Sequence, residues 1–250
     1  MRYAVGIPTR NREDMLARTI NTVLGQTERP EMIVVVDNND EPNVGWREAS
    51  GVRIVRVRCD FRTTGPEQGH QTALRLVAKE YPDLDVMVRW DDDLIPEPDC
   101  LARLVSQIDC RGVVACGGLY PRPGDARVSS ADGSGDGVDR HLQFFAWSGE
   151  SRIVTRKHLY SSFAYSVPAA LRAGGFCVDY SKFGQRGETD FSLRLAREGE
   201  LRVDTAAVAF HHWSPGGRRT SEEEMAVLAA MDNDLFLRRM VEHKIDPEAW

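Results

Sequence analysis

A chain of 250 residues, 42% of them hydrophobic, can bury a full core as one large domain without disulfide support. With 38 acidic against 32 basic residues the net charge is -6, which excludes a general electrostatic attraction to nucleic acid or anionic lipid. Five cysteines, Cys59, Cys100, Cys110, Cys116 and Cys177, are odd in number and lack CxxC spacing; they suggest neither a disulfide framework nor a zinc site and fit a reducing cytoplasm.

The chain alternates strands and helices. Residues 3–7 form a short apolar strand ended by Pro8, too short for a signal peptide, and no later segment approaches a membrane span. Helical spacing of Met15, Leu16, Ile20, Val23 and Leu24 predicts a helix over 13–24. The continuous β-branched run at 32–36, ending at Asp37, has the pattern of a strand covered on both faces, and a third strand spans 52–57. A helix over 69–80, a strand over 84–90, a helix over 99–108 and a strand over 113–116 extend a mostly parallel α/β sheet flanked by helices.

After Tyr120 the texture changes. Residues 122–139 are rich in Gly, Asp and Ser, which predicts a mobile loop. Short strands near 142–147, 152–155 and 162–167 form a small mixed or antiparallel addition that completes a site. A helix over 189–198 and a strand over 203–210 follow, and Ser221 with Glu224 makes a capping box before an amphipathic helix to about 243. The organisation expected is one continuous domain: residues 1–120, then 121–220, then the C-terminal helix 221–250.

The residues with chemistry fall at carboxyl ends of strands, where open α/β sheets bind ligands. Trp90 is followed by Asp91, Asp92 and Asp93. Three like charges where a strand leaves the core repel one another, which calls for a divalent cation carrying a phosphate. A turn, followed by a helix cap at Asp99, is the plainer reading. Pro8, Thr9 and Arg12 follow the first strand, and Asp37 and Asn39 the second. Asp37 can also simply start an Asx turn. Gly65 and Gly69 precede Gln71 at a helix entry that admits close backbone approach to an anion, without P-loop spacing.

The ordered set formed by Ile7 to Arg12, Val34 to Asn38, Arg89 to Asp93, Gly187 to Leu195 and Phe210 to His212 resembles family 2 glycosyltransferases of the GT-A fold. That resemblance implies a metal-dependent, inverting transfer of sugar from a nucleotide diphosphate sugar to an acceptor hydroxyl, with UDP-sugars favoured because Asp37 suits uracil. It implies a donor pocket of Pro8, Thr9, Arg12, Asp37, Asn39, Gly65 and Gln71. The triplet resembles the DXD motif, which assigns Asp93 to Mn²⁺ or Mg²⁺ and Asp91 to ribose or the metal's water, with Asp92 between them. His211 or His212 would complete the metal shell, His211 being preferred; adjacent strand residues face opposite ways, so one at most does so. Aligned through 191–195, Glu188 takes the place of the family's catalytic aspartate and Asp190 is a later acidic position, although both also suit a helix N-terminus. Arg218 and Arg219 would clamp the diphosphate or stand solvated. Trp147, Phe144, Phe145 and Tyr165 would face an acceptor or fill the core. That acceptor is a saccharide, lipid-linked glycan, protein, small molecule or modified nucleic-acid base. The last helix packs on the domain, forms a homodimer or rests on a membrane, and Glu222, Glu223 and Glu224 oppose the membrane. A sugar nucleotidyltransferase and a non-catalytic binding module are the rival classes.

Overall fold

The computed structural model describes residues 1–124, 153–159, 161–212 and 221–245. The elements run β1 (Tyr3–Thr9), α1 (Glu13–Leu24), β2 (Met32–Asp37), β3 (Gly45–Ala49), β4 (Val52–Arg58), α2 (Pro66–Glu80), β5 (Val86–Arg89), β6 (Leu94–Pro96), α3 (Cys100–Ile108), β7 (Val113–Leu119), β8 (Ile153–Arg156), β9 (Phe163–Ser166), α4 (Val167–Arg172), α5 (Gly187–Leu195), β10 (Glu200–His211) and α6 (Glu222–Glu242). The sheet order is β3-β4-β2-β1-β5-β9-β7-β10-β6, with β8 on β10. The α/β class expected from the alternation is the one found, with a sheet more mixed than the mostly parallel one expected: β1, β2, β4 and β5 pair in parallel, as do β7 and β10, while β3, β6, β8 and β9 join antiparallel.

Every residue of β1, β2, β5 and β7 is buried, because helices cover both faces. Successive strand residues point opposite ways, so Tyr3, Val5, Ile7, Ile33 and Val35 meet α1 and α3. Ala4, Met32, Val34 and Met87 meet α2, α4 and α5 on the other face. Each fully buried Val or Ile side chain contributes roughly 1.5–3 kcal/mol, so the central strands fix the frame on which the rim is mounted.

Several boundaries move. β1 runs on through Pro8 to Thr9, where Pro8 pairs with Val36 and Thr9 with Asp37; proline's fixed φ is compatible with the extended chain. α2 starts at Pro66, with Pro at its first turn, rather than at Gly69. β3 has no counterpart in the sequence reading, because four of its five residues are exposed and no apolar alternation marks it. β6, three residues containing Pro96, pairs antiparallel with β10 at the sheet edge, where a proline is tolerated. α4, also missed, is capped by Ser166, whose Oγ accepts from the Ala169 N–H. Asp99 occupies the α3 N-cap position but makes no capping bond; its carboxylate takes Arg103 Nε at 2.6 Å instead. One half of the capping box before α6 is present, Ser221 Oγ accepting from the Glu224 N–H at 3.2 Å, while the Glu224 carboxylate pairs with Lys182 Nζ at 2.7 Å.

α6 packs on the domain through Phe236 and Met240 against Cys177, Tyr180 and Leu193. Its buried Asp232 accepts from the Ser181 and Gln185 backbone N–H groups. Among the described residues no helix is long and apolar enough to cross a membrane. The loop and strand expected between 125 and 152, and Arg218 with Arg219, lie outside the described residues.

Candidate active site

The parallel strands β1 and β5 deliver their carboxyl ends side by side, Gly6 pairing with Arg89 and the Trp90 N–H donating to Gly6 O at 2.9 Å. This brings Thr9 and Arg12 onto the aspartate triplet, about which the sequence says nothing directly. Asp92 is almost wholly buried, at 1% exposure. It accepts from Thr9 Oγ1 at 2.7 Å and Arg12 Nε at 3.1 Å, and pairs with Arg12 Nη2. Its backbone carbonyl takes Thr19 Oγ1 at 2.7 Å. Burial pushes its carboxyl up to about 7, against the pull of Arg12 and Thr9. Asp92 is thus the structural post of the triplet, held from β1, its following loop and α1.

Asp93 lies one step outward. Arg12 Nη1 donates to its Oδ2 at 2.7 Å, and His211 Nε2 lies 3.2 Å from its Oδ1. Burial raises the Asp93 carboxyl, but His211 and Arg12 outweigh burial and hold it below the usual range. The same contact with Asp93 raises His211. The His212 N–H donates to Asp93 O at 2.8 Å, so the two histidines divide the work: His211 offers its ring and His212 its backbone. Asp91 is held separately, accepting from Ser161 Oγ at 3.1 Å while its N–H donates to Ser162 Oγ at 3.1 Å.

Asp93 brings a hard carboxylate oxygen and His211 a borderline imidazole nitrogen to one spot, which fits a divalent cation. Among the described residues no three His, Cys, Asp or Glu side chains converge on such a spot, so Asp91 does not close a three-ligand cage. Two protein donors fit Mg²⁺ or Mn²⁺, which commonly bind through one or two carboxylates plus phosphate and water.

Asp37 is fully buried and saturated. It accepts from the backbone N–H groups of Asn39 and Asn43, each at 2.9 Å, and from Arg56 Nε at 2.9 Å and Nη2 at 2.6 Å. The Asx turn is therefore real, and Arg56, unnoticed in the sequence, is its anchor. Asn39 Oδ1 accepts from the Asn11 N–H at 2.7 Å, tying the β2 loop to the β1 loop. Gln71 faces inward, its Oε1 accepting from the Phe176 N–H at 2.7 Å. Gly65 caps α2 with its carbonyl accepting from Asn38 Nδ2 at 3.2 Å. The glycines here admit protein rather than leaving open space: a Cβ on Gly69 would lie 2.6 Å from Pro8 Cβ. His70 is a core residue of α2, its ring tilted against Phe176 at 5.4 Å between ring centroids.

The two acids of α5 separate sharply. Asp190 is fully buried and bound to two arginines, Arg194 Nε at 3.0 Å and Arg239 Nε at 2.9 Å. Glu188 is half-buried at the first turn; burial raises its carboxyl, Arg89 and Arg186 lower it, and Asp91 adds a further upward push. Glu188 therefore belongs to the electrostatic surroundings of the triplet, and Asp190 to the α5–α6 seam. Tyr165 is fully buried among Phe163, Phe176 and Phe191, so the acceptor reading of this residue gives way to core packing. Phe144, Phe145 and Trp147 lie outside the described residues.

A mixed sheet whose parallel centre carries carboxylates at its rim, with β9 antiparallel between β5 and β7, is the GT-A glycosyltransferase architecture. Residues 4–157 match the model of glycosyl transferase family 2, and the chain belongs to that family. The Gly187–Leu195 and His211 motifs lie beyond the matched stretch. No curated protein matches the chain in sequence. Among solved structures it is similar to TarS from S. aureus, with 15% identity and a TM-score of 0.61 over 96% of this chain and 43% of that one. It is also similar to GalNAc-T7 with UDP, GalNAc and Mn²⁺, with 16% identity and a TM-score of 0.66 over 94% of this chain and 48% of that one. A third likeness is the mannosyltransferase PcManGT from Pyrobaculum calidifontis in complex with GDP-Man and Mn²⁺, with 15% identity and a TM-score of 0.62 over 96% and 64%. The chain thus spans well under two thirds of TarS and of GalNAc-T7, and these identities bear on fold alone.

Proposed function

We propose that this chain transfers a sugar from a nucleoside diphosphate sugar, UDP-sugars first, to an acceptor hydroxyl with inversion at the anomeric carbon. The observation that carries the reading is the meeting of Asp93 and His211 at 3.2 Å in the aspartate triplet, whose Asp91 also acts on Glu188. Family membership supports the reaction class, and the complexes of GalNAc-T7 and PcManGT with nucleotides and Mn²⁺ support a metal-assisted donor site. Asp37, with both oxygens taken by Asn39, Asn43 and Arg56, does not itself read a base, and the preference for UDP rests on the family resemblance.

In this reading the donor lies across the loops after β1 and β2. Pro8 and Thr9 set the β1 loop, and the Asp37 network with Asn39 presents the β2 loop to the base. Arg12 is less a phosphate ligand than the clamp that keeps Asp92 and Asp93 in place. Asp93 and His211 would hold Mn²⁺ or Mg²⁺, which supplies Lewis-acid stabilisation of the departing diphosphate. Asp91, fixed by Ser161 and Ser162, faces the ribose or the metal's water. Glu188 accepts the proton of the acceptor hydroxyl as that oxygen attacks, and the carbon–oxygen bond to the diphosphate breaks in the same displacement. Burial raises its affinity for protons above that of an ordinary glutamate, the direction a general base requires. The chain acts as one continuous domain, 1–120 for the donor and 121–220 for the acceptor, in a reducing cytoplasm. Arg218 would join the diphosphate, and the outward side of α6 offers a route to a homodimer.

The test is sugar release from UDP-sugars, with and without acceptor, by the intact chain and by Glu188→Gln. A general base contributes about 10²–10⁴-fold, so the variant should lose at least a hundredfold in turnover. Undiminished transfer by Glu188→Gln refutes the assignment, and no turnover of any nucleotide sugar by the intact protein favours a binding module. Thermal shifts with UDP and GDP, with and without Mn²⁺, rank the nucleotides and test the metal independently of turnover.

A further inference from the structure

Behind Glu188 lies a second carboxyl that the reaction does not use. Glu67, in the first turn of α2, is fully buried, and its Oε1 accepts a single, long bond of 3.3 Å from Arg89 Nη1. Its other oxygen, Oε2, has no hydrogen-bond partner. It presses directly on the entry to α5: a Cβ on Gly187 would lie 2.3 Å from Glu67 Cγ and 2.5 Å from Cδ. Arg89 is buried as deeply, at the end of β5, with its guanidinium 5.6 Å from the ring centres of both Phe163 and Phe176.

One buried guanidinium therefore serves several acids. Glu67, Asp91 and Glu188 all act on Arg89, with the Tyr165 hydroxyl behind them. Gly187, packed against Glu67, places the Glu188 backbone next to this pair, and the charges of Arg89, Asp91 and Arg186 all reach Glu188. A buried ion pair is sustained only when its remaining lone pairs are satisfied. Glu67 offers poor terms for a carboxylate: one long contact and one unpartnered oxygen. A neutral acid loses far less in such a place.

We infer that Arg89 is a positioning residue that stands as counter-ion to Glu188, while Glu67 holds Arg89 as an uncharged hydrogen-bond partner. This rests on the reading of Glu188 as the base. Burial also pushes the Glu67 carboxyl up to about 8, in the direction the geometry requires. The arrangement keeps the positive charge of Arg89 available to the base instead of neutralising it from behind, and the missing side chain at Gly187 lets the two acids share it.

The experiment follows carboxyl carbons of ¹³C-labelled glutamate in the intact, ligand-free chain by NMR at neutral pH, in wild type, Glu67→Gln, Glu188→Gln, Arg89→Gln and Arg89→Lys. One protonated glutamate signal is expected in wild type, absent in Glu67→Gln and retained in Glu188→Gln. Arg89→Gln should add a second protonated signal from Glu188, which Arg89→Lys should not. Absence of a protonated signal in wild type, its loss in Glu188→Gln, or an ionised Glu188 in Arg89→Gln overturns the inference. If Arg89→Gln does not fold, Glu67→Gln decides: an uncharged partner is replaced by its isostere with unchanged melting temperature, whereas a large drop shows that the charge was needed. Transfer by Glu188→Gln at the wild-type rate would sink the base reading and leave the protonation pattern standing, so the two failures are separable.

Discussion

Replacing Asp190 with Asn distinguishes a structural acid from a chemical one. The carboxylate is fully buried and meets two guanidinium groups, Arg194 at 3.0 Å within α5 and Arg239 at 2.9 Å from α6. Removing one partner of a buried pair costs about 3–5 kcal/mol, because the other charge stays behind unpaired. Arg194 cannot leave, since its side chain is 4% exposed, but Arg239 at 16% can swing partly to water. The lower end of that range therefore applies, about 3 kcal/mol, equivalent to a fall of roughly 6–12 °C in Tm for a chain of this size. The assay is calorimetry or urea unfolding, run beside turnover per folded molecule. Asp190→Asn should lose stability and keep its turnover, whereas Glu188→Gln should do the reverse. Equal stability with abolished turnover in Asp190→Asn would refute the argument and make Asp190 the chemical residue.

Gly187→Ala should cost about 1–3 kcal/mol, because its Cβ would collide with Glu67 Cγ at 2.3 Å in a packed interior; urea unfolding measures it, and no loss would mean that α5 can shift outward. Arg56→Gln should free the Asp37 turn and weaken UDP binding at least about tenfold, or 1.4 kcal/mol, in titration calorimetry; unchanged affinity would detach that turn from the nucleotide. In metal-free buffer His211 and Asp93 give opposite pH limbs. His211, raised in the folded state, contributes stability below the ordinary histidine range, and this is lost as pH rises through its folded value. Asp93, depressed, contributes stability above the ordinary aspartate range, lost as pH falls through its folded value. His211→Asn should flatten the alkaline limb in urea unfolding followed against pH, and an unaltered limb would remove His211 from the pair.

What the sequence makes legible follows from how far each signal travels. β2 is plain because Met32 to Val36 is covered on both faces, and β3 is hidden because Trp46, Arg47 and Glu48 face solvent. Asp91, Asp92 and Asp93 announce themselves as adjacent like charges, but their division of labour depends on Thr9, Arg12, Thr19, Ser161 and His211, which arrive from distant parts of the chain. No local pattern couples Ser161 to Asp91. Arg89 did leave a trace, because a charge ending an otherwise apolar strand needs a partner, here Glu67; Arg56, one of three arginines in β4, left none. Gln71 and Gly69 were misleading because a glycine-rich helix entry looks the same whether it receives a phosphate or a proline side chain.

β9 lies between β5 and β7, antiparallel to both, with Val88 and Cys116 each paired to Ala164. As the chain leaves the ribosome, the strand carrying Arg89 and the strand after α3 must wait with bare edges for a segment made well over forty residues after β7. Until Phe163 to Ser166 arrives, the sheet is split down its middle, and exposed edges of that kind invite pairing with other chains. A nascent chain halted near residue 120 should consequently depend on chaperones, and closure of the sheet and assembly of the Asp91 anchor at Ser161 and Ser162 become a single late event in folding.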